Sequence, residues 1–279
     1  MSTHLRVGLL QMNCEHPKEQ NLAQAAELIG QATRAGAQIV CLPEQFTLPW
    51  FPAEQDEAKR AWAEPEGGPI YQAVQALALK YQVGIVASLY ERAGEKLFSA
   101  AYLLGPDGAL AGKYRKNHLP DHPGWYEAYY YGNGDLGFPV WEFAGVKVGV
   151  QVCYDNAFPE GSRLLALAGC QVIFAPRATG AHTPPRWRTI LGANASANGC
   201  FVLTVNRTGP FGSDSLYQWG GDSAAYAPDG LVIAAAQHEN EALVVDLDMA
   251  HITEQQMEWP LLNLRRPEIY ANLTKQQEA

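Results

Sequence analysis

The feature that most constrains the fold lies at the start of the chain, where two apolar runs of different habit follow one another. Residues 5–12 form a near-continuous apolar run, as a buried strand requires, and residues 19–34 space their apolar side chains as an amphipathic helix stopped by Gly36. A second apolar run, 39–42, ends at Pro43. Strand, helix and strand in that order call for a sheet with helices laid against it. The pattern recurs as a helix over 70–81, strands at 83–90 and 97–104, and a Pro106-Asp-Gly108 turn into a strand at 109–114.

After a long loop, strands at 140–143 and 146–152 form a hairpin closed at Ala144-Gly145. Next come a helix at 163–168 capped by Gly169, a strand at 172–174, a helix near 189–198 and a strand at 201–205. Three further strands are predicted at 223–226, 231–235 and 242–245. Helices alternating with strands, some joined by hairpins, argue for a mixed α/β sandwich rather than a purely parallel sheet. Ser99-Ala-Ala-Tyr102 runs into Pro-Asp-Gly, and Ser223-Ala-Ala-Tyr226 does the same, which suggests two similar halves. No Pro-, Ser- or Gly-rich linker divides them, so residues 1–279 are read as one domain with a C-terminal tail from about 259.

Composition narrows the function. A 279-residue chain that is 47% hydrophobic can bury one large core. Its net charge of −9, with no Lys or Arg block, would repel a nucleic-acid backbone. The N-terminus lacks the basic, apolar and small-residue parts of a secretory signal, and no apolar stretch approaches the roughly 20 residues that span a bilayer. Five widely spaced cysteines, an odd number, read as reduced thiols. The expectation is a soluble, cytoplasmic protein.

Cys153 ends the alternating run Val146-Lys-Val-Gly-Val-Gln-Val152 and precedes a helix, a place where peptide dipoles favour a thiolate. Cys14, Cys41, Cys170 and Cys200 read as structural. Glu44 emerges from the end of the 39–42 strand, where open α/β sheets place reactive groups and where a raised pKa would suit a general base. Lys116 sits in Lys113-Tyr-Arg-Lys-Asn-His-Leu-Pro120, which by itself is a small basic loop. His118 and His122 stand four apart, but Pro120 between them disfavours the helix that would align them on a metal.

Taken together, Leu42-Pro-Glu44, Tyr114-Arg-Lys116-Asn-His-Leu-Pro120 and Cys153-Tyr-Asp-Asn-Ala-Phe-Pro-Glu160 resemble, in order and approximate spacing, the three catalytic blocks of the nitrilase (carbon-nitrogen hydrolase) superfamily. The resemblance runs from Val7 to Tyr270 and includes Gly220-Gly-Asp-Ser223. It is nearest to the amidase and N-carbamoyl-amine hydrolase branches, the N-carbamoylputrescine amidases in particular. It implies a four-layer α-β-β-α sandwich and a catalytic set of Glu44, Lys116 and Cys153. It places at Glu127 a second glutamate that positions substrate and water. It implies no metal or organic cofactor, and pairing through helices into a homodimer or larger even-numbered assembly. Arg177 is a departure, standing where putrescine-type enzymes carry a small polar residue.

The implied activity is hydrolysis of a non-peptide carbon-nitrogen bond in a small amide or N-carbamoyl compound, through a thioester that releases ammonia or amine. Phe46, Tyr154 and Arg177 are the candidate substrate-binding residues. Arg177 would either hold a substrate carboxylate or pair with a surface acid such as Asp155 or Glu160. Aromatics near both glutamates (Phe46, Trp50 and Phe51; Trp125, Tyr126, Tyr129, Tyr130 and Tyr131) suit a narrow pocket for a small molecule, though some of them must fill the core. Three other readings remain open: a nitrilase acting on C≡N with the same residues, a papain-like enzyme pairing Cys153 with His118, His122 or His182, and a non-catalytic scaffold.

Overall fold

The computed structural model describes residues 4–211 and 217–275. The first three residues, on which the reading of the N-terminus partly rests, and the last four of the tail lie outside the described residues. Sheet 1 is built from β1 (His4–Gln11), β2 (Ile39–Cys41), β3 (Gly84–Ala93), β4 (Lys96–Leu104) and β5 (Leu110–Arg115). Sheet 2 is built from β6 (Trp141–Phe143), β7 (Val146–Val150), β8 (Val172–Pro176), β9 (Phe201–Val205), β10 (Ala224–Tyr226) and β11 (Val232–Ala235). A last strand, β12 (Glu241–Asp248), returns to sheet 1 and pairs with β1. The strand orders are β12-β1-β2-β3-β4-β5 and β11-β10-β9-β8-β7-β6.

With the second order read in reverse, from β6 to β11, the two sheets share one pattern of pairing. β1, β2 and β3 are parallel, as are β7, β8 and β9, and the flanking pairs in both sheets are antiparallel. The two Ser-Ala-Ala-Tyr segments fall on β4 and β10, which hold matching positions. The expected likeness of the halves is therefore topological. The Ala144-Gly145 turn forms with both residues in the left-handed region (φ 50° and 78°), which glycine enters freely and alanine only at a cost.

Each layer has its own core. Leu5, Val7, Leu9, Val148, Val150, Phe174 and Leu203 pack between the sheets, fully or almost fully buried. α1 (Lys18–Arg34) and α2 (Pro69–Tyr81) cover sheet 1 through Ala25, Leu28, Ile29, Val74 and Ala78. α3 (Pro159–Leu167) and α4 (Pro184–Asn198) cover sheet 2 through Leu165, Trp187, Leu191 and Ala195. The result is the α-β-β-α sandwich. α1 can lie this close because position 8 is glycine: a Cβ there would stand 2.9 Å from the Ala32 Cβ. α4 begins five residues before the predicted start, since Pro184 and Pro185 open its first turn, where a missing N–H costs nothing. A last helix, α5 (Ala250–Glu258), has no counterpart in the sequence reading.

Candidate active site

Three strand ends deliver the reactive groups. Glu44 follows β2, Lys116 continues directly from β5, and Cys153 follows β7, so two come from sheet 1 and one from sheet 2. The Lys116 backbone N–H donates to the Ser99 carbonyl at 2.8 Å, which extends the β4–β5 ladder by one residue. Glu127 opens a single helical turn, Glu127–Tyr130, inside the long loop, where its backbone N–H donates to the Pro120 carbonyl at 3.0 Å. The loop also holds a small hairpin pairing Asp121 with Tyr126 and His122 with Trp125.

Lys116 ties the group together. Its Nζ donates to Glu44 Oε1 at 2.8 Å and to Glu127 Oε2 at 2.5 Å. All three side chains are 0% exposed. Burial works against the Lys116 ammonium, but the charges of Glu127 and Glu44 outweigh it and hold its pKa above the usual lysine range. Burial pushes the Glu127 carboxyl up to about 8 against the pull of Lys116, with the Glu44 charge pushing the same way. One oxygen of each carboxylate, Glu44 Oε2 and Glu127 Oε1, is buried with no protein partner. Such acceptors are costly unless something arrives to use them.

Cys153 occupies a strained elbow with φ +47°. That conformation costs a residue with a Cβ about 1–3 kcal/mol and persists only where the surroundings enforce it. Here the Asn156 amide donates to the carbonyls of Cys153 (3.0 Å) and Gln151 (3.1 Å), and Ser162 Oγ donates to Gln151 Oε1 at 2.6 Å. The strand-end position that favours a thiolate meets stronger opposing effects here. Burial first, then the Glu44 charge, raises the thiol well above its ordinary range; Lys116, and the hydrogen bond from the Ala178 backbone N–H, oppose this only in part. Cys153 begins a short 3₁₀ turn, Cys153–Ala157, and α3 starts only at Pro159. The helix dipole is therefore too weak at the sulfur to overcome burial.

Asp155 is the residue that sequence reasoning misjudged most. It is fully buried and grips the Lys116 segment, accepting from Tyr114 Oη (2.6 Å), the His118 backbone N–H (2.8 Å) and the Asn117 backbone N–H (3.2 Å), with His118 Nδ1 at 2.8 Å. The cysteine turn and the lysine strand are thus one unit. His118 is committed to Asp155 and stacks on Phe158 with centroids 3.7 Å apart.

The candidate substrate contacts divide. Phe46 is fully buried and packs with Val74, Ala78 and Leu89 on the helix side of sheet 1, while Cys153 belongs to the core between the sheets. That placement sets Phe46, a candidate for substrate contact, in the helix-side core rather than in the cluster that holds the cysteine. Tyr154 is partly exposed, its ring edge-on to Phe158. Arg177 is buried and pairs with neither Asp155 nor Glu160. Its Nη2 donates to the Asp222 carbonyl at 2.7 Å and its Nη1 to Thr179 Oγ1 at 3.0 Å, with the Asp222 carboxylate 3.8 Å away. Its Nε has no protein partner. Glu44, beyond the end of β2, and Arg177, directly after β8, stand at matching strand ends in the two sheets. The aromatics also divide: Phe51, Tyr130 and Tyr131 fill a core cluster with Tyr90, whereas Trp50 and Trp125 pack around Ala178, next to the cysteine.

Among the described residues no group of three or more His, Cys, Asp or Glu is placed to hold a metal ion, and no helix is long and apolar enough to cross a membrane. A buried cysteine grouped with a lysine and two glutamates on an α-β-β-α sandwich belongs with the thiol-dependent amide hydrolases. The chain is a member of the carbon-nitrogen hydrolase family, whose model matches residues 6–257. It is 32% identical to the citrullinase of Francisella tularensis, over 98% of this chain and 99% of that one. It is equally 32% identical to the N-carbamoylputrescine amidase of Solanum lycopersicum, over 95% and 93%. An amidase from Nesterenkonia sp. AN1 superposes with a TM-score of 0.83 at 26% identity, covering 96% of each chain. That mutant amidase structure shows covalent addition of the acetamide moiety of fluoroacetamide at the active site cysteine. Both the fold and the enzyme class implied by the three sequence blocks hold: the protein is a carbon-nitrogen hydrolase.

Proposed function

We propose that Cys153 attacks the carbonyl carbon of a small amide or N-carbamoyl compound, with Glu44 as general base and acid and Lys116 as electrostatic stabiliser. The observation that carries this is the Lys116 bridge to both glutamates, buried where their charges act on the Cys153 thiol. Burial and the Glu44 charge favour the protonated thiol, so attack calls for a base, and Glu44 has one oxygen free of protein partners. The thiol proton passes to Glu44 as the S–C bond forms. Charge developing on the carbonyl oxygen is met by the Lys116 ammonium and the Tyr154 backbone N–H. The C–N bond then breaks, and Glu44 returns the proton to the departing nitrogen, which leaves as ammonia or amine. Water, oriented by Glu127 and deprotonated by Glu44, cleaves the thioester and restores the thiol.

The reading is tested by ammonia release across small amides, N-carbamoyl amines and nitriles, together with mass spectrometry of the protein treated with fluoroacetamide. Turnover of amides or carbamoyl compounds and a single adduct on Cys153 are expected. An adduct elsewhere, or turnover of nitriles alone, would refute it. The names of the citrullinase and N-carbamoylputrescine amidase relatives point toward the carbamoyl compounds in that panel.

Arg177 is assigned to the far end of the substrate, where its unpartnered Nε can donate to a carboxylate. Arg177→Ala is expected to raise KM for carboxylated substrates about tenfold and to leave neutral amides little affected. Parallel losses in both classes would reduce Arg177 to a strut between β8 and the 221–222 turn.

The protein is also assigned to a cytoplasmic homodimer or larger even-numbered assembly. Leu164 and Leu167 on α3, and Trp259, Leu264 and Leu273 in the tail, are exposed apolar side chains suited to such contact. Native mass at micromolar concentration should be an even multiple of the chain mass, and a monomer would contradict this.

A further inference from the structure

Arg207 follows β9 in Asn206-Arg-Thr-Gly209 and belongs to none of the three catalytic blocks. It is nevertheless among the largest fully buried side chains. Its guanidinium lies against the rings of Trp50 and Trp219, 5.3 Å and 5.4 Å from their centroids, which meet edge to face 5.7 Å apart. On one side Nε and Nη2 donate to the Glu44 carbonyl at 3.1 Å and 3.0 Å. The same Nη2 reaches the carbonyls of Gln45 at 2.8 Å and Leu48 at 3.0 Å. On the other side Nη1 donates to Glu15 Oε1 at 2.9 Å, an oxygen that also accepts from Trp219 Nε1 at 3.0 Å. The Trp50 backbone N–H donates to the same carboxylate at 3.3 Å.

The turn that carries Glu44 needs this support. Gln45 sits at φ +51°, in the left-handed region, and the turn is almost entirely withdrawn from water. The carbonyls of Glu44, Gln45 and Leu48 all accept from Arg207; the Gln45 carbonyl also accepts from the Leu48 backbone N–H at 3.0 Å, so the carbonyls of Glu44 and Leu48 are the two that depend on the guanidinium. A planar guanidinium can serve several carbonyls and a carboxylate at once while lying against two rings, whereas a lysine ammonium is a single point of donation without the fork.

We propose that Arg207 is the positioning residue for Glu44: clamped by Glu15, Trp50 and Trp219, it fixes the Glu44 peptide so that the unpartnered Oε2 stays available to the Cys153 thiol. Arg207 touches no reacting atom and acts only through Glu44. The inference rests on Glu44 being the base, and the test separates the two.

Arg207→Lys keeps a cation beside the rings but loses the fork. It is expected to lower kcat about 30-fold with KM changed less than about threefold, and to slow labelling of Cys153 by fluoroacetamide by a similar factor. In a Glu44→Gln background the same substitution should change labelling less than about twofold, because the group it positions has been removed. Equal slowing in both backgrounds, a change confined to KM, or full activity of the single variant would overturn the proposal. If Glu44→Gln alone labels and turns over like the parent, Glu44 as base is what has failed. Should Arg207→Lys not fold, Glu15→Gln weakens the clamp from its other side. It is expected to lower kcat about fivefold and to show the same dependence on Glu44, and an unchanged kcat would equally overturn the proposal.

Discussion

Cys153→Ala is expected to abolish turnover, with kcat reduced by about 10⁴-fold or more, because every step after substrate binding passes through the S–C bond. The loss should be purely chemical. Alanine also carries a Cβ at φ +47°, so the strained elbow and its bonds to Asn156 are retained and the melting temperature should change little. Cys153→Gly sharpens the point. It removes the Cβ and with it about 1–3 kcal/mol of strain, offset in part by glycine's greater unfolded-state freedom, so an inactive but no less stable protein is expected. Cys170→Ala is the control. Cys170 is buried with Leu165 and Leu191 in the core beneath α3 and α4, and its replacement should cost about 1 kcal/mol of stability while leaving kcat nearly intact. Activity and thermal melts of the three variants decide the matter, and a Cys153→Ala protein as active as the parent would end the thioester mechanism.

Lys116→Met is expected to damage both activity and stability, and in a pH-dependent way. The lysine is the shared partner of two carboxylates withdrawn from water, and removing one member of such a buried cluster costs about 3–5 kcal/mol. Losing the oxyanion partner alone lowers kcat by about 10²–10³-fold. The sign of the pH effect follows from Glu127, whose carboxyl burial has already pushed up to about 8 in the folded protein from its ordinary 4.5. A carboxyl raised on folding favours the native state while protonated. That contribution is fully present below about 4.5 and is lost as pH climbs through about 8. Without Lys116 nothing opposes burial, and the raised range extends further upward for Glu127. The melting temperature of Lys116→Met should therefore fall more steeply than the parent's between pH 6 and 9. A variant within tenfold of parental kcat, or a parallel melting profile, would contradict this account, and the first outcome would favour a histidine-assisted thiol enzyme. Such an enzyme would fail on replacing His118, which the structure commits to Asp155.

Much of this protein is written locally in its sequence. The apolar period of two along Val146–Val150 and the helical spacing along Lys18–Arg34 report their own secondary structure, because each pattern directs one face toward a core. Glu44, Lys116 and Cys153 were legible for a different reason: each sits in a short contiguous block, and three blocks in order are recognisable even though no one of them is informative alone.

What the sequence could not supply depends on residues distant along the chain. Arg207 and Glu44 meet across a sequence separation of 163, and neither segment hints at the other. Asp155 looked like a surface acid because its neighbours are polar, yet Tyr114, Asn117 and His118 close over it from another sheet. Phe46 stands two residues from the base, but the tight turn at Gln45 sends it to the opposite face of the sheet. The protonation of Cys153 was also undecided locally. A strand end before a helix favours a thiolate, and only the packing of both sheets around the sulfur lets burial and the Glu44 charge prevail. Short-range pattern thus determined the elements and picked out Glu44, Lys116 and Cys153 as candidates, three side chains that the structure brings together. The tertiary structure decided their charges, their partners and which side of the sheet each one faces, because burial and Coulomb interactions depend on distance in space rather than along the chain.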